Sequence, residues 1–419
     1  MDELKLEQSM TNAAPALSPL DARLVQVLTQ LHAAGQYKHL REIDSPMDAT
    51  VKIRGADGRL REVLCFCSNN YLGLANHPEV VEAGHRGLRD YGAGTASVRF
   101  ICGTFTPHAQ LETAIARLMG TEASYTFVSA WTANEAVFPT LAEPGDTIIS
   151  DELNHACIID AIRLAAVIKK GVNKAVYKHN DLASLRAELE LTRKAAAGSV
   201  TWVVTDGVFS MEGDIADLPS LRGLCDEFGA VLVVDDSHGT GVMGHTGRGT
   251  HEHWGMMGDT KKQVDIFTST LGKALGGAAG GYVAGSRRAI EMLIQRGRPT
   301  LFSNALPVTV ACSAAKAVEI LLREPERVAK LRDNVAYARQ RIKEAGLNVL
   351  ESPTAICPII VHDTAKAIAM SKTLFEMGVF VIGFGYPVVP EGQARLRVQI
   401  SAAHEQGHID QLVDALRKL

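Results

Sequence analysis

TWVVTDGVFSMEGDIADLPSLRGLCDEFGAVLVVDDSHGTG, residues 201–241, decides the fold. Two short apolar runs rich in β-branched residues, TWVVTD (201–206) and AVLVVDD (230–236), each end in aspartate. Between them SLRGLCDEFG (220–229) spaces its apolar residues as a helix does and stops on glycine. The alternation extends outward on both sides. TIIS (147–150) and DIFTST (265–270) read as further strands, and AQLETAIARLM (109–119) places Leu111, Ile115 and Leu118 on one helical face. Strands alternating with helices predict an α/β domain with a mostly parallel sheet covered on both sides.

The pattern changes after about residue 305. Helices are expected at 307–323 and 325–346, then strand-like CPIIVH (357–362) and ARLRVQIS (394–401) around a helix at 364–377, and a last helix at 406–418. The expected organisation is a large domain over 66–305 and a smaller α+β domain over 306–419. Residues 1–65, a polar arm followed by a helix at 21–35, are assigned to the smaller one.

Composition excludes several classes. The 419 residues carry a net charge of −4, 46% hydrophobic and 21% charged residues, so there is no basic footprint for nucleic acid. No run of 18 apolar residues suggests a membrane span, and MDELKLEQSM lacks the look of a signal or transit peptide, so a cytoplasmic location is expected. The seven cysteines include no CxxC pair and read as buried, reduced thiols. His251 and His253 in THEHW lack partners at ligand spacing and read as a surface loop.

The polar residues gather at strand ends, where open α/β sheets bind ligands. Asp235, Asp236 and His238 follow one strand, Asp206 and Ser210 a second, Thr270 and Lys273 a third, and His155 a fourth. Lys273 is no P-loop lysine, because Phe267 and Ala274 stand where that motif needs glycine and serine or threonine. Taken alone it reads as a surface lysine. In this company it fits a Schiff-base lysine for pyridoxal 5′-phosphate, with Asp235 as the carboxylate that keeps the pyridine nitrogen protonated. Thr270 and the amides around Ser129, Ala130 and Trp131, at a helix start, are phosphate donors in that reading. YGAGTAS (91–97) lacks the third glycine of a dinucleotide fingerprint and reads as a turn or a substrate-lining loop.

CSNNYLGLANHP (67–78), SVRFICGT (97–104), LNHACIIDAIR (153–163), TDGVFSMEGDIA (205–216), VVDDSHGTG (233–241), TLGKALGG (270–277), RPTLFSN (298–304) and ARLRVQISAAH (394–404) occur in the order found in the α-oxoamine synthases. From about residue 40 to the end the sequence resembles that family of fold-type I pyridoxal-phosphate enzymes, which join an amino acid to an acyl-CoA, and within it the glycine-acetylating branch. The resemblance implies that Lys273 holds the cofactor and moves the α-proton, that Asp235 pairs with the ring nitrogen, and that His155 stacks on the ring. It implies that His238 and Ser210 contact the ring hydroxyl, and that Thr270 with the Ala130 and Trp131 amides holds the phosphate. Ser303 and Asn304 would reach the phosphate of a second subunit, so a homodimer is implied. Arg397 would bind the substrate carboxylate and Asn70 would help to orient the substrate, while Arg395, two residues away, is left to a solvated strand face.

The implied substrates are glycine and acetyl-CoA. Alanine, serine or a longer acyl-CoA are the alternatives, because VSAWTANEA (128–136) departs from the Cys-Phe-Asp-Ala-Asn-Gly-like run of the acetylating branch at Trp131 and Thr132. GVNKAVYKHN (171–180) and HWGMMGDTKKQ (253–263) look slightly extended. The presence of Lys273, Asp235, His155 and Arg397 argues against a non-catalytic subunit, and the motifs of the CoA family argue against an aminotransferase.

Overall fold

Among the described residues, fourteen strands form three sheets. The computed structural model describes residues 17–419 apart from 35, 56, 194–197 and 259–262, so most of the N-terminal arm and the middle of segment 253–263 lie outside the described residues. In chain order the strands are Glu42–Ile43 (β1), Thr50–Arg54 (β2), Leu60–Cys65 (β3), Ala123–Phe127 (β4), Thr147–Asp151 (β5), Asn173–Tyr177 (β6) and Thr201–Asp206 (β7). Val231–Asp235 (β8), Ile266–Thr270 (β9), Gly281–Gly285 (β10), Ile356–His362 (β11), Val379–Phe380 (β12), Ile382–Phe384 (β13) and Ala394–Gln399 (β14) complete the set.

The central sheet has seven strands in the order β4-β10-β9-β8-β7-β5-β6. All are parallel except β10, which runs against both β4 and β9. Strand periodicity explains the unbroken apolar runs. Val203, Leu232 and Val234 point into one core, and Val204, Val233 and Trp202 into the other. Helices Ala130–Leu141, Ala156–Ile168 and Arg287–Arg296 close the second face; Thr106–Met119, Leu182–Thr192, Leu218–Phe228 and Val308–Arg323 contribute to the first. The helix expected at 220–229 starts at Leu218, where Asp217 accepts from Ser220 N at 3.2 Å, and stops at Gly229 with φ 67°.

The N-terminal and C-terminal parts share a sheet, because β3 pairs in parallel with β12 in the order β1-β2-β3-β12. The third sheet, β11-β14-β13, is antiparallel. Helix Val308–Arg323 packs closely on helix Pro78–Tyr91: Thr309 Oγ1 donates to the Gly84 carbonyl at 2.9 Å and Ser313 Oγ to the Val80 carbonyl at 3.1 Å. No helix among the described residues is long and apolar enough to cross a membrane.

Three expectations are corrected. His251 is not in a surface loop. It lies in the short helix Thr250–His253, 4% exposed, with its ring centroid 4.7 Å from that of Phe267. The cysteines are not all buried: Cys102 is exposed, and Cys67 and Cys312 are half-buried. Arg395 is 3% exposed, because the loop 210–214 covers the face it shares with Arg397.

Candidate active site

The parallel register brings the polar strand ends side by side. Asp206 is paired with Asp235 across β7 and β8, and Asp235 with Thr268 across β8 and β9. Three donors orient the Asp235 carboxylate: Asn134 Nδ2 at 2.7 Å and Thr268 Oγ1 at 2.9 Å on Oδ2, and Ser237 N at 2.9 Å on Oδ1. Burial and the nearby Asp235 charge push the Asp206 carboxyl well above the usual range. Its Oδ2 accepts from His155 N at 3.1 Å, which fixes the start of helix Ala156–Ile168 beside it.

Lys273 lies just beyond β9, and its Nζ is 3.0 Å from His238 Nε2. The rest of that contact is set by hydrogen-bond accounting. Gln399 Nε2 donates to the Cys67 carbonyl at 2.7 Å, leaving Oε1 to accept from the Tyr71 hydroxyl at 2.9 Å. Asn69 Oδ1 at 3.2 Å is the alternative acceptor for that single proton, so in either case the Tyr71 hydroxyl donates it away from His238. Tyr71 therefore accepts from His238 Nδ1–H at 2.8 Å, and His238 Nε2 is a bare acceptor facing Lys273. Burial, and then the Lys273 and Arg397 charges, hold His238 well below its ordinary pKa, consistent with that neutral tautomer. Burial lowers Lys273 to about 8, with Asp235 pulling upward and Arg397 downward. An amine in that range is available as a base near neutral pH.

His155 is the N-cap of helix Ala156–Ile168, its Nδ1 accepting from Cys157 N at 3.2 Å. Its pKa is lowered by burial, although its outer face is open to solvent. The Trp131 ring meets it edge-on, with centroids 6.3 Å apart, and Trp131 Nε1 donates to Glu135 Oε1 at 2.8 Å. Ser129 caps helix Ala130–Leu141, accepting from Thr132 N at 3.1 Å, and Thr270 Oγ1 accepts from Gly272 N at 3.0 Å.

The helix start rests directly on β10. A Cβ on Gly281 would lie 2.3 Å from Ala130 N, so only glycine allows the approach. Gly281→Ala is expected to cost about 1–3 kcal/mol, read as a lower urea midpoint, because backbone and not a movable side chain stands in the way.

On β14, Leu396 and Val398 enter the core, while Arg395, Arg397 and Gln399 point the other way. Arg397 Nε donates to the Ser210 carbonyl at 2.6 Å. Arg395 donates to the Met211 carbonyl at 3.0 Å and pairs with Glu212 at 3.2 Å. Asn70 is buried, but its side chain braces a turn: Oδ1 accepts from Ala75 N at 3.1 Å and Nδ2 donates to the Met47 carbonyl at 3.4 Å. Ser303 and Asn304 lie after helix Arg298–Phe302, where Asn304 bridges to Val98. Asn134, Thr268, Tyr71 and Gln399 were not expected from the sequence; Tyr71 stands beside Asn70 in CSNNYLG, and Gln399 continues the polar face of β14.

A lowered-pKa lysine, an oriented carboxylate and the start of helix Ala130–Leu141 match the donor set that pyridoxal phosphate needs. The comparisons agree. The aminotransferase class I and II family model matches residues 61–416. Human mitochondrial 2-amino-3-ketobutyrate coenzyme A ligase is 43% identical over 403 residues, covering 96% of this chain and 93% of that protein. The 8-amino-7-oxononanoate synthase of Symbiobacterium thermophilum is 43% identical over 396 residues, covering 94% and 97%. A serine palmitoyltransferase structure carrying PLP as an internal aldimine superposes with a TM-score of 0.86 at 27% identity, covering 97% of this chain and 98% of that one.

Proposed function

Because this chain belongs to the aminotransferase class I and II family, we propose that it is a pyridoxal-phosphate enzyme that condenses glycine with acetyl-CoA, giving 2-amino-3-oxobutyrate and CoA. The observation that carries this reading is the Lys273 amine, lowered to about 8 and held 3.0 Å from a neutral His238. Bound pyridoxal phosphate supplies the sink for negative charge at the glycine α-carbon. Lys273 Nζ would hold the cofactor and would accept the glycine α-proton. Asp235 would pair with the ring nitrogen, His155 would lie against the ring, and His238 and Ser210 would contact its hydroxyl. Ser129, the Ala130 and Trp131 amides, and Thr270 would hold the phosphate. Arg397 binds the glycine carboxylate, and Asn70 supports the turn that carries Tyr71. The new carbon–carbon bond forms at the thioester carbonyl as its C–S bond breaks, and the CoA thiolate leaves with a proton.

Ser303 and Asn304 serve the phosphate of a second copy, so the working unit is a homodimer. Phe100, Ile101 and Phe302, exposed at 59%, 69% and 73%, support this, since the Val98–Asn304 bridge gathers them beside those two residues. Light scattering at twice the chain mass is the expected result.

A second reading keeps the chemistry and changes the substrates to alanine, serine or a longer acyl-CoA. Trp131, whose ring centroid lies 6.3 Å from that of His155, favours considering it, as does the likeness to an oxononanoate synthase. Thiol release from a panel of acyl-CoAs with glycine, alanine and serine decides. Glycine with acetyl-CoA is expected to give the highest kcat/KM; any other pair exceeding it replaces the proposal.

A further inference from the structure

GVNKAVYKHN ends on a histidine and an asparagine that the chemistry above does not use. His179 stands between two carboxylates. Its Nδ1 is 3.0 Å from Asp151 Oδ1, at the end of β5, and its Nε2 is 2.8 Å from Asp214 Oδ2. Asn180 repeats the pairing, with its N donating to Asp151 Oδ2 at 3.0 Å and its Nδ2 to Asp214 Oδ2 at 2.9 Å. Burial opposes charge on His179, but the bonds to Asp151 and Asp214 outweigh it and raise the imidazole to about 10. It is an imidazolium at neutral pH, donating from both nitrogens. Its ring also stands edge-on to Phe209, with centroids 4.4 Å apart.

Asp214 anchors one end of a closed turn. Val208 bridges Ile215, Phe209 N donates to the Asp214 carbonyl at 3.1 Å, and Gly213 N donates to the Phe209 carbonyl at 2.8 Å. The crown of the turn offers its carbonyls to β14 and to Thr354, just ahead of β11. Ser210 accepts from Arg397 Nε at 2.6 Å, Met211 from Arg395 at 3.0 Å, and Gly213 from Thr354 Oγ1 at 2.7 Å. The turn is thus the link between the central sheet and the arginines of β14, and His179 with Asn180 is its fastening on the sheet side.

We propose that His179, set between Asp151 and Asp214, is a positioning residue for Arg397: it fixes the 208–215 turn whose Ser210 carbonyl aims the guanidinium, and so sets the affinity for the amino-acid carboxylate. The inference rests on reading Arg397 as the carboxylate-binding group. Glutamine at 179 is neutral and carries its N–H donors on a single nitrogen, so spanning the two carboxylates sets its carbonyl oxygen against one of them, and the turn loses its fixed register.

The test is steady-state kinetics of holoenzyme variants at saturating acetyl-CoA. His179→Gln is expected to raise glycine KM about tenfold with kcat changed less than about twofold, the pattern of lost ground-state binding. Asp214→Asn, of equal size, should act in the same direction and stands in if His179→Gln folds poorly. Arg397→Lys should also raise glycine KM, and adding His179→Gln to it should raise KM by less than about a further twofold, because both changes remove one interaction. An unchanged glycine KM in both brace variants, or full additivity with Arg397→Lys, overturns the brace. If Arg397→Lys itself leaves glycine KM unchanged, the assignment of the carboxylate site is what fails.

Discussion

Lys273→Ala is expected to lower kcat by about 10⁴-fold, the upper end for a positioned proton-transfer group, and to leave the cofactor without its covalent hold. His238 cannot replace it. Its Nε2 is an acceptor, but burial and neighbouring charge hold its pKa well below the ordinary value, so it is a poor base. The same substitution should stabilise the cofactor-free protein. Burial lowers the amine from 10.5 to about 8 in the fold, so below pH 8 folding buries a cation and between those values it strips a proton. The unfolded chain binds more protons between those values, and stability contributed at this position rises with pH across the window 8 to 10.5. At pH 7 the alanine variant should therefore be more stable by about 1–3 kcal/mol, an advantage that shrinks as pH climbs through 8 towards 10.5. Urea unfolding at pH 7 and pH 10 reads both the sign and the window. A variant that is less stable at pH 7 would mean that the lysine is not strained by burial.

Asp235→Asn is expected to reduce kcat/KM by about 10²–10³-fold, the scale of losing one preorganised electrostatic partner. Asparagine keeps the size but cannot keep the bonding. Ser237 N donates to one carboxylate oxygen, and Asn134 Nδ2 and Thr268 Oγ1 donate to the other, so either amide orientation sets an NH₂ against a donor. That mismatch costs about 1–3 kcal/mol of stability, and the negative charge proposed to pair with the cofactor is lost as well. The measurement is kcat/KM for glycine beside a thermal melt. Near-normal activity would detach Asp235 from the chemistry.

The parts of the fold legible in the sequence were those buried on both faces. TWVVTD, AVLVVDD and DIFTST read as strands because their apolar positions pack into one core or the other, and each run stops at a polar residue. Lys273, Asp235 and His155 were visible for the same reason, as titratable residues at such ends. Their supports were not. Asn134 meets Asp235 across 101 residues of sequence, and Tyr71 meets Gln399 across 328, so no local pattern announces either pair. Arg395 misled through its own regularity. Alternation along β14 marks one face as polar, but it cannot say whether water or another loop lies against it, and here the 210–214 turn does. His251 misled for lack of context, since the surface that buries it includes Phe267, part of a strand.

Reduction of the holoenzyme with sodium borohydride, followed by trypsin and peptide mass analysis, tests the central claim directly. Reduction fixes a cofactor held by a lysine to that lysine, and a modified lysine resists trypsin. The predicted result is one labelled peptide spanning Gln263–Arg287, with the pyridoxyl group on Lys273. Label on any other lysine, or no covalent label at all, would contradict the account.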